Sequence, residues 1–214
     1  MTPAEIFAKV RPHTMSPQSR LESMMSIFRK IDAEKIAGDV VECGVWRGGN
    51  IMMARLMLPE RTCWLYDTFD GMTEPDPVFD TKRSGEKAID RWNLKKKGGT
   101  KWDAVDVEEV KDAFFTMGPD LLSRCNFVIG DVEETVDARS HEAGIAVLRL
   151  DVDWYRPTKS VLKRLVPKIT PGGFLIVDDY GHWLGCRRAV DEYFGGSRPK
   201  EEKEVDYSCV VFRC

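Results

Sequence analysis

"GIAVLRLDVDWYRPTKSVLKRLVPKITPGGFLIVDD" occupies residues 144–179. A largely apolar run ends in two acids on alternate positions, Asp151 and Asp153. "YRPTKSVLKRLVPKI" then has helical apolar spacing, with Pro157 in the first turn, where a missing N–H costs nothing. "PGG" reads as a turn, and "FLIV" as a second short buried strand closed by Asp178 and Asp179. Apolar strands alternating with helices argue for a parallel sheet covered on both faces.

The same alternation extends outward. "GDVVECGV" (38–45) and "TCWLYDTF" (62–69) read as strands, joined by a helix "GGNIMMARLML" (48–58) that opens at a Gly-Gly turn. "CNFVIGD" (125–131) is a further strand, preceded by helical spacing in "VDVEEVKDAFFTM" (105–117). "WLGCRRAVDEYF" (183–194) reads as a helix, and the tail "EVDYSCVVFRC" (204–214) as a final strand or edge hairpin. "SRLESMMSIFRKI" (19–31) marks an amphipathic helix within about residues 16–36. The expected fold is α/β, a doubly wound, mostly parallel sheet in one domain over residues 1–214.

Residues 70–104 differ in character, being rich in Pro, Gly and charge. A segment of this length inside a compact domain is expected to be a functional loop or lid. Its "KKKGGTK" reads as a solvated tip. The chain has 214 residues, 43% hydrophobic and 31% charged, with a formal charge of −3. That balance argues against nucleic acid or an anionic membrane as partner. No stretch approaches the roughly 20 apolar residues of a membrane span, and the N-terminus lacks a signal-like apolar core. The six cysteines form no C-x-x-C pair, so reduced thiols and a cytoplasmic setting are expected.

In doubly wound sheets ligands bind beyond the carboxyl ends of the strands. Every expected strand end here carries an acid: Glu42, Asp67, Asp131, the Asp151/Asp153 pair and the Asp178/Asp179 pair. Glycines at 44, 48 and 49 permit a sharp turn and close approach of a ligand to the backbone, and Glu42 is placed to accept hydrogen bonds from a ligand's ammonium or from backbone amides. Asp67 follows Glu42 at the distance where nucleotide-binding folds hold ribose hydroxyls; the alternative is an exposed turn residue. Asp131 either meets an adenine edge or caps the next helix. Asp151, Asp178 and Asp179 form an all-oxygen set that suits a hard cation, Mg²⁺ first, with Mn²⁺ or Ca²⁺ as alternates. Asp153 is placed for a general base. Helix caps are the plainer reading of these acids. A Mg²⁺-dependent phosphatase with Asp151 as nucleophile and Asp153 as acid/base is the alternative enzyme, although it leaves Glu42 and Asp67 without a role.

"VVECGVWRGGN", "YDTFDGM", "IAVLRLDVDWYRPT", "PGGFLIVDDYG" and "CRRAVDEYF" together resemble the macrocin O-methyltransferase (TylF-type) family, from about Ser19 to Tyr193. The resemblance implies an O-methyltransferase dependent on S-adenosylmethionine and a divalent metal, acting on a sugar hydroxyl of a natural product. It implies Asp151, Asp178 and Asp179 as metal ligands and Asp153 as general base. The implied cofactor set is Glu42, Gly44, Val45, Trp46, Gly49 and Asn50 around the methionine part, Asp67 and Thr68 at the ribose, Asp131 at the adenine, and Asp151. The segment after Asp70 would be a mobile lid, the acceptor a small molecule with vicinal oxygens, and the assembly a homo-oligomer. Trp154 stands where catechol-type enzymes carry a lysine, which argues against a catechol acceptor. Arg156 replaces a more usual acid, and the charged lid points to an acceptor unlike macrolide or aminocoumarin sugars.

Overall fold

The computed structural model describes residues 1–136, 141–195 and 201–214. Seven strands form one sheet: β1 (Asp39–Cys43), β2 (Cys63–Asp67), β3 (Cys125–Ile129), β4 (Ile145–Leu150), β5 (Ile169–Val177), β6 (Glu201–Glu204) and β7 (Val210–Arg213). Their order is β3-β2-β1-β4-β5-β7-β6. The first five run parallel, and the β6–β7 hairpin adds antiparallel to β5. The expected fold is thus observed. β4 is buried at every position because helices cover both faces of the sheet.

On one face lie α1 (Pro3–Val10), α2 (Gln18–Ala33), α3 (Gly49–Met57) and α5 (Val107–Met117), whose Val10, Phe28, Met52 and Phe114 share a core with Val147 and Phe174. On the other lie α7 (Tyr155–Leu165) and α8 (Leu184–Phe194), with the short α6 (Val132–Thr135), burying Val161, Leu162 and Val190 against Leu148 and Leu175. Each such aliphatic side chain contributes about 1.5–3 kcal/mol by leaving water. Among the described residues no helix is long and apolar enough to cross a membrane.

Two details differ from the sequence reading. "PGG" (171–173) is not a turn before β5 but part of it, because strand pairing already starts at Ile169 and shifts register opposite Ile145/Val147. The first helix, α1, was not foreseen; Thr2 and Glu5 close it with a reciprocal capping box.

Arg55 on α3 is buried, and its partners are carbonyls: Leu121 (3.0 Å), Pro59 (2.6 Å), Arg61 (2.9 Å) and Asp120 (3.4 Å). It satisfies the carbonyls past the end of α3 and fastens them to the turn before β3. Arg55→Met is expected to cost roughly 2–4 kcal/mol, read as a lower urea midpoint at unchanged m-value.

His141 accepts or donates a 3.0 Å bond to the Tyr66 hydroxyl and meets the Trp64 ring edge-on. Burial lowers its pKa from 6.5 to about 4. The unfolded chain therefore takes up a proton below pH 6.5 that the folded chain refuses until about pH 4. Its contribution is complete above the unfolded value and is lost as the pH falls through that window. We expect roughly 1–2 kcal/mol of acid-induced destabilisation from this residue after solvent screening, read as the difference between wild-type and His141→Gln denaturation curves across the same pH range.

Candidate active site

A cavity of about 380 Å³ opens beyond the carboxyl ends of the parallel strands. Gly44, at φ +84°, ends β1; a side chain there would collide with the Asp151 carbonyl. Only glycine lets the β1 turn lie against the end of β4. Asp67 holds this turn in place: Oδ2 accepts from Val45 N (2.6 Å) and Trp46 N (2.9 Å), and Oδ1 from Phe69 N (2.8 Å). Gly44, Val45, Trp46, Asn50, Asp67 and Thr68 all line the cavity. The Thr68 hydroxyl, 3.4 Å from Oδ1, is a fourth donor beside this carboxylate. Asp131 also lines the cavity and caps α6 through Glu133 N (2.8 Å), so its helix-cap role is present in the structure.

Glu42 does not reach the cavity wall, and neither does Gly49. Glu42 is buried behind it, where Oε1 accepts from Asn50 Nδ2 (2.9 Å) and Arg149 Nη1 (2.7 Å). Burial raises its carboxyl to about 7 despite the adjacent guanidinium. Oε1 thus forms an internal pair that fixes Asn50, while Oε2 is buried with no hydrogen-bond partner among the described residues.

Asp151, Asp178 and Asp179 each bring a carboxylate oxygen within 4.8 Å of the others. Adjacent parallel strands β4 and β5 make this possible, with Leu150 opposite Val177. Arg149, buried two residues before the first acid, donates to Asp151 Oδ2 (2.8 Å) and Asp178 Oδ1 (2.5 Å). Arg20 from α2 pairs with the other Asp178 oxygen and with Asp206 (2.7 Å). Two guanidiniums thus face Glu42, Asp151, Asp153, Asp178, Asp179 and Asp206, and the acids outnumber them. Burial raises Asp178 to about 6 and Asp179 well above the usual carboxylate range, with Asp153 and Asp151 adding repulsion on Asp179. Asp179 Oδ2 is buried with no hydrogen-bond partner among the described residues. An orphaned carboxylate oxygen in an all-oxygen, acid-rich cluster is the donor set that a hard divalent cation satisfies.

Asp153 sits at φ +58°, a left-handed conformation that non-glycine residues rarely adopt. Its Oδ1 accepts the indole N–H of Trp183 at 2.9 Å. Burial, with Asp151 alongside, pushes its carboxyl up to about 8. Trp183 is itself held edge-on to Trp154 at 4.9 Å.

The insert is anchored to this site at several points. Trp154 Nε1 donates to the Thr73 carbonyl (3.1 Å). Buried Asp80 accepts from Tyr155 N (2.8 Å) at the start of α7 and from Asp76 N (2.7 Å), and its carboxylate fills the space a side chain at Gly185 would need. Beyond it, α4 (Ala88–Lys97) carries Arg91 over the Trp102 ring at 4.2 Å, both at the cavity. The "KKK" run forms the last turn of α4, with all three lysines exposed.

Sequence reasoning missed Arg149, Arg20, Asp80 and the Trp183 bond to Asp153. Arg149 left one signal: a charge inside an otherwise apolar buried strand needs a partner. The others meet their partners through distant chain segments.

Residues 9–214 match the macrocin O-methyltransferase (TylF) family. An 8-demethyl-8-(2,3-dimethoxy-alpha-L-rhamnosyl)-tetracenomycin-C 4'-O-methyltransferase from Streptomyces olivaceus is 34% identical over 210 residues, 94% of this chain and 75% of that protein. A demethyldecarbamoylnovobiocin O-methyltransferase from Streptomyces niveus is 36% identical, covering 85% of this chain and 67% of that one. The solved structure of the O-methyltransferase NovP superposes with a TM-score of 0.78 at 32% identity, over 94% of this chain and 81% of NovP.

Proposed function

The chain belongs to the macrocin O-methyltransferase family and is an O-methyltransferase, and from that premise we propose that it methylates a sugar hydroxyl of a glycosylated natural product, using S-adenosylmethionine and a divalent cation. The observation that carries this reading is the meeting of Asp151, Asp178 and Asp179 beside Asp153 on one cavity wall. The Streptomyces olivaceus relative acts, as its name states, on a rhamnosyl-bearing tetracenomycin.

In this reading Asp151, Asp178 and Asp179 hold the cation, Mg²⁺ first and Mn²⁺ or Ca²⁺ as alternates. When bound, it supplies Lewis acidity that lowers the pKa of an acceptor hydroxyl. S-adenosylmethionine supplies the methyl group from its sulfonium. Asp153 accepts the hydroxyl proton at Oδ2, the oxygen Trp183 leaves free. Asp67 and Thr68 serve the ribose, Asp131 the adenine edge, and the β1 turn the methionine part, with Asn50 held by Glu42. Trp102, Trp154 and Trp183 form an edge-to-face wall that keeps water from the reacting atoms. The acceptor is a small molecule with vicinal oxygens, and the enzyme assembles as a homo-oligomer, which light scattering would check. The phosphatase alternative leaves the Asp67-held β1 turn without a role.

Calorimetric titration of S-adenosylmethionine and S-adenosylhomocysteine, with and without Mg²⁺, tests the proposal. Saturable micromolar binding is expected, followed by methylation of members of a rhamnoside panel. A folded protein that binds neither compound in either condition overturns it.

A further inference from the structure

An edge-to-face row of aromatic rings runs along the cavity wall beside the acid cluster. Trp154 meets Trp183 at 4.9 Å between ring centroids, Trp183 meets His182 at 5.1 Å, and His182 meets Tyr207 at 6.0 Å. All four residues line the cavity. The two tryptophans are buried and His182 is half-buried, whereas Tyr207 is 70% exposed. The row thus passes Asp153, which Trp183 bonds, and ends in an open ring at the mouth.

Tyr207 is exposed yet held. It stands in the turn of the β6–β7 hairpin, which Val205 N closes by donating to the Cys209 carbonyl (2.9 Å). Asp206 Oδ1 accepts from Ser208 N and Cys209 N, each at 2.9 Å, and Arg20 grips the same carboxylate. The turn is fastened to the acid pair as well. The Ser208 hydroxyl donates to the Asp178 carbonyl (2.7 Å), and Gly181 N donates to the Ser208 carbonyl (2.9 Å). A side chain at Gly181 would collide with the Tyr207 carbonyl. At its far end the Tyr207 hydroxyl shares a 3.0 Å bond with His182 Nδ1, and His182 N donates to the Asp179 carbonyl (3.1 Å). A lone exposed tyrosine on a loop calls for no explanation. One fixed at both ends against the main chain of Asp178 and Asp179 does, because ordering it costs side-chain entropy that its own burial does not return.

We propose that His182 and Tyr207 form a subsite for the aglycone of the acceptor, with the Tyr207 ring as a platform for a flat, apolar group and His182 as the residue that fixes that ring. The inference rests on the glycoside reading above. The hydroxyl to be methylated has to reach Asp153 and the acid cluster, beside the buried part of the row, so the sugar occupies the inner part of the cavity. Whatever the sugar carries then leaves through the mouth, across the exposed ring. An aromatic face gains from apolar area and from stacking on a second ring. The bond to His182 engages only the rim of Tyr207 and leaves its exposed face clear.

The test is calorimetric titration of a matched pair, an aryl rhamnoside and the methyl rhamnoside, into protein saturated with S-adenosylhomocysteine and Mg²⁺. Wild type is expected to bind the aryl glycoside about tenfold tighter than the methyl one, the scale of one aromatic pair. Tyr207→Ala should cut that ratio to about twofold, at an unchanged melting temperature because so exposed a side chain carries little folding stability. Tyr207→Phe keeps the ring and should hold the ratio at about fivefold or more. A ratio in Tyr207→Ala equal to that of wild type overturns the proposal, as does a wild type with no preference for the aryl glycoside. Equal weakening of both glycosides by Tyr207→Ala also overturns it, and so does a Tyr207→Phe ratio as low as that of Tyr207→Ala, which would assign the effect to the hydroxyl. A Tyr207→Ala protein that keeps the ratio but changes oligomeric state by light scattering would make the ring a subunit contact instead. Wild type that binds S-adenosylhomocysteine but neither glycoside brings down the glycoside reading itself.

Discussion

Asp153→Asn is expected to lower the rate of methyl transfer by roughly 10²–10⁴-fold, with S-adenosylhomocysteine affinity unchanged within about threefold. The substitution isolates the proton-accepting role unusually well. Asparagine is among the few residues that tolerate a left-handed backbone, so the φ of +58° at this position survives. Trp183 donates its indole N–H to Oδ1 at 2.9 Å, and the asparagine carbonyl accepts that bond equally well. The amide then turns its NH₂ toward the cavity, presenting a donor where the acceptor hydroxyl needs a base. Binding and packing stay as they were, and only the proton has nowhere to go. Single-turnover assays with a glycoside that wild type methylates would read this directly. A rate within tenfold of wild type would mean that hydroxyl activation does not depend on Asp153.

The sheet was legible because a parallel sheet writes itself plainly. Strands covered on both faces must be largely apolar at consecutive positions; "CWLY" and "FLIV" are, and "VVEC" is broken only by Glu42. The strand-end acids were legible for a related reason. A carboxylate directly after an apolar strand is costly unless it is used, and the topology then gathers all such ends on one side of the sheet. What could not be read was compensation. Arg20 reaches Asp206 across 186 positions, and Asp80 caps α7 from 75 positions away. Local spacing carries no record of such pairs. Glu42 illustrates the consequence: its position at a strand end suggested a ligand contact, and the Arg149 partner that keeps it internal lies 107 residues on. The helix α1 is a different case. Its capping pair, Thr2 and Glu5, was visible, but eight residues give too few turns for a periodic pattern to stand out. "PGG" misled because strand β5 carries its glycines inside a register shift rather than before the pairing begins.

Asp178 and Asp179 are neighbours in sequence and in the cluster, yet their asparagine variants should move stability in opposite directions. Asp178 gives both carboxylate oxygens to guanidiniums, one to Arg149 at 2.5 Å and one to Arg20. Asp178→Asn leaves one buried and one half-buried cation short of charge and is expected to cost roughly 2–4 kcal/mol. Asp179 is the reverse case. Its Oδ2 has no partner among the described residues, and Asp151, Asp153 and Asp178 crowd it with like charge. An amide there turns repulsion into donation, so Asp179→Asn should stabilise the protein without added cation by about 1–2 kcal/mol, or about 2–8 °C in melting temperature for a chain of this size. The same change removes an oxygen from the proposed cation set. Mg²⁺ raises the wild-type melting temperature if it binds the folded state alone, and that rise should vanish in Asp179→Asn along with methyl transfer. Thermal melts of the two variants with and without Mg²⁺ separate the effects. A stabilised Asp179→Asn that still responds to Mg²⁺ would place the cation elsewhere. A destabilised one would mean that Asp179 holds the fold together. A stabilised, unresponsive and inactive one would mean that the cluster keeps an energetically costly carboxylate for the sake of the cation it holds.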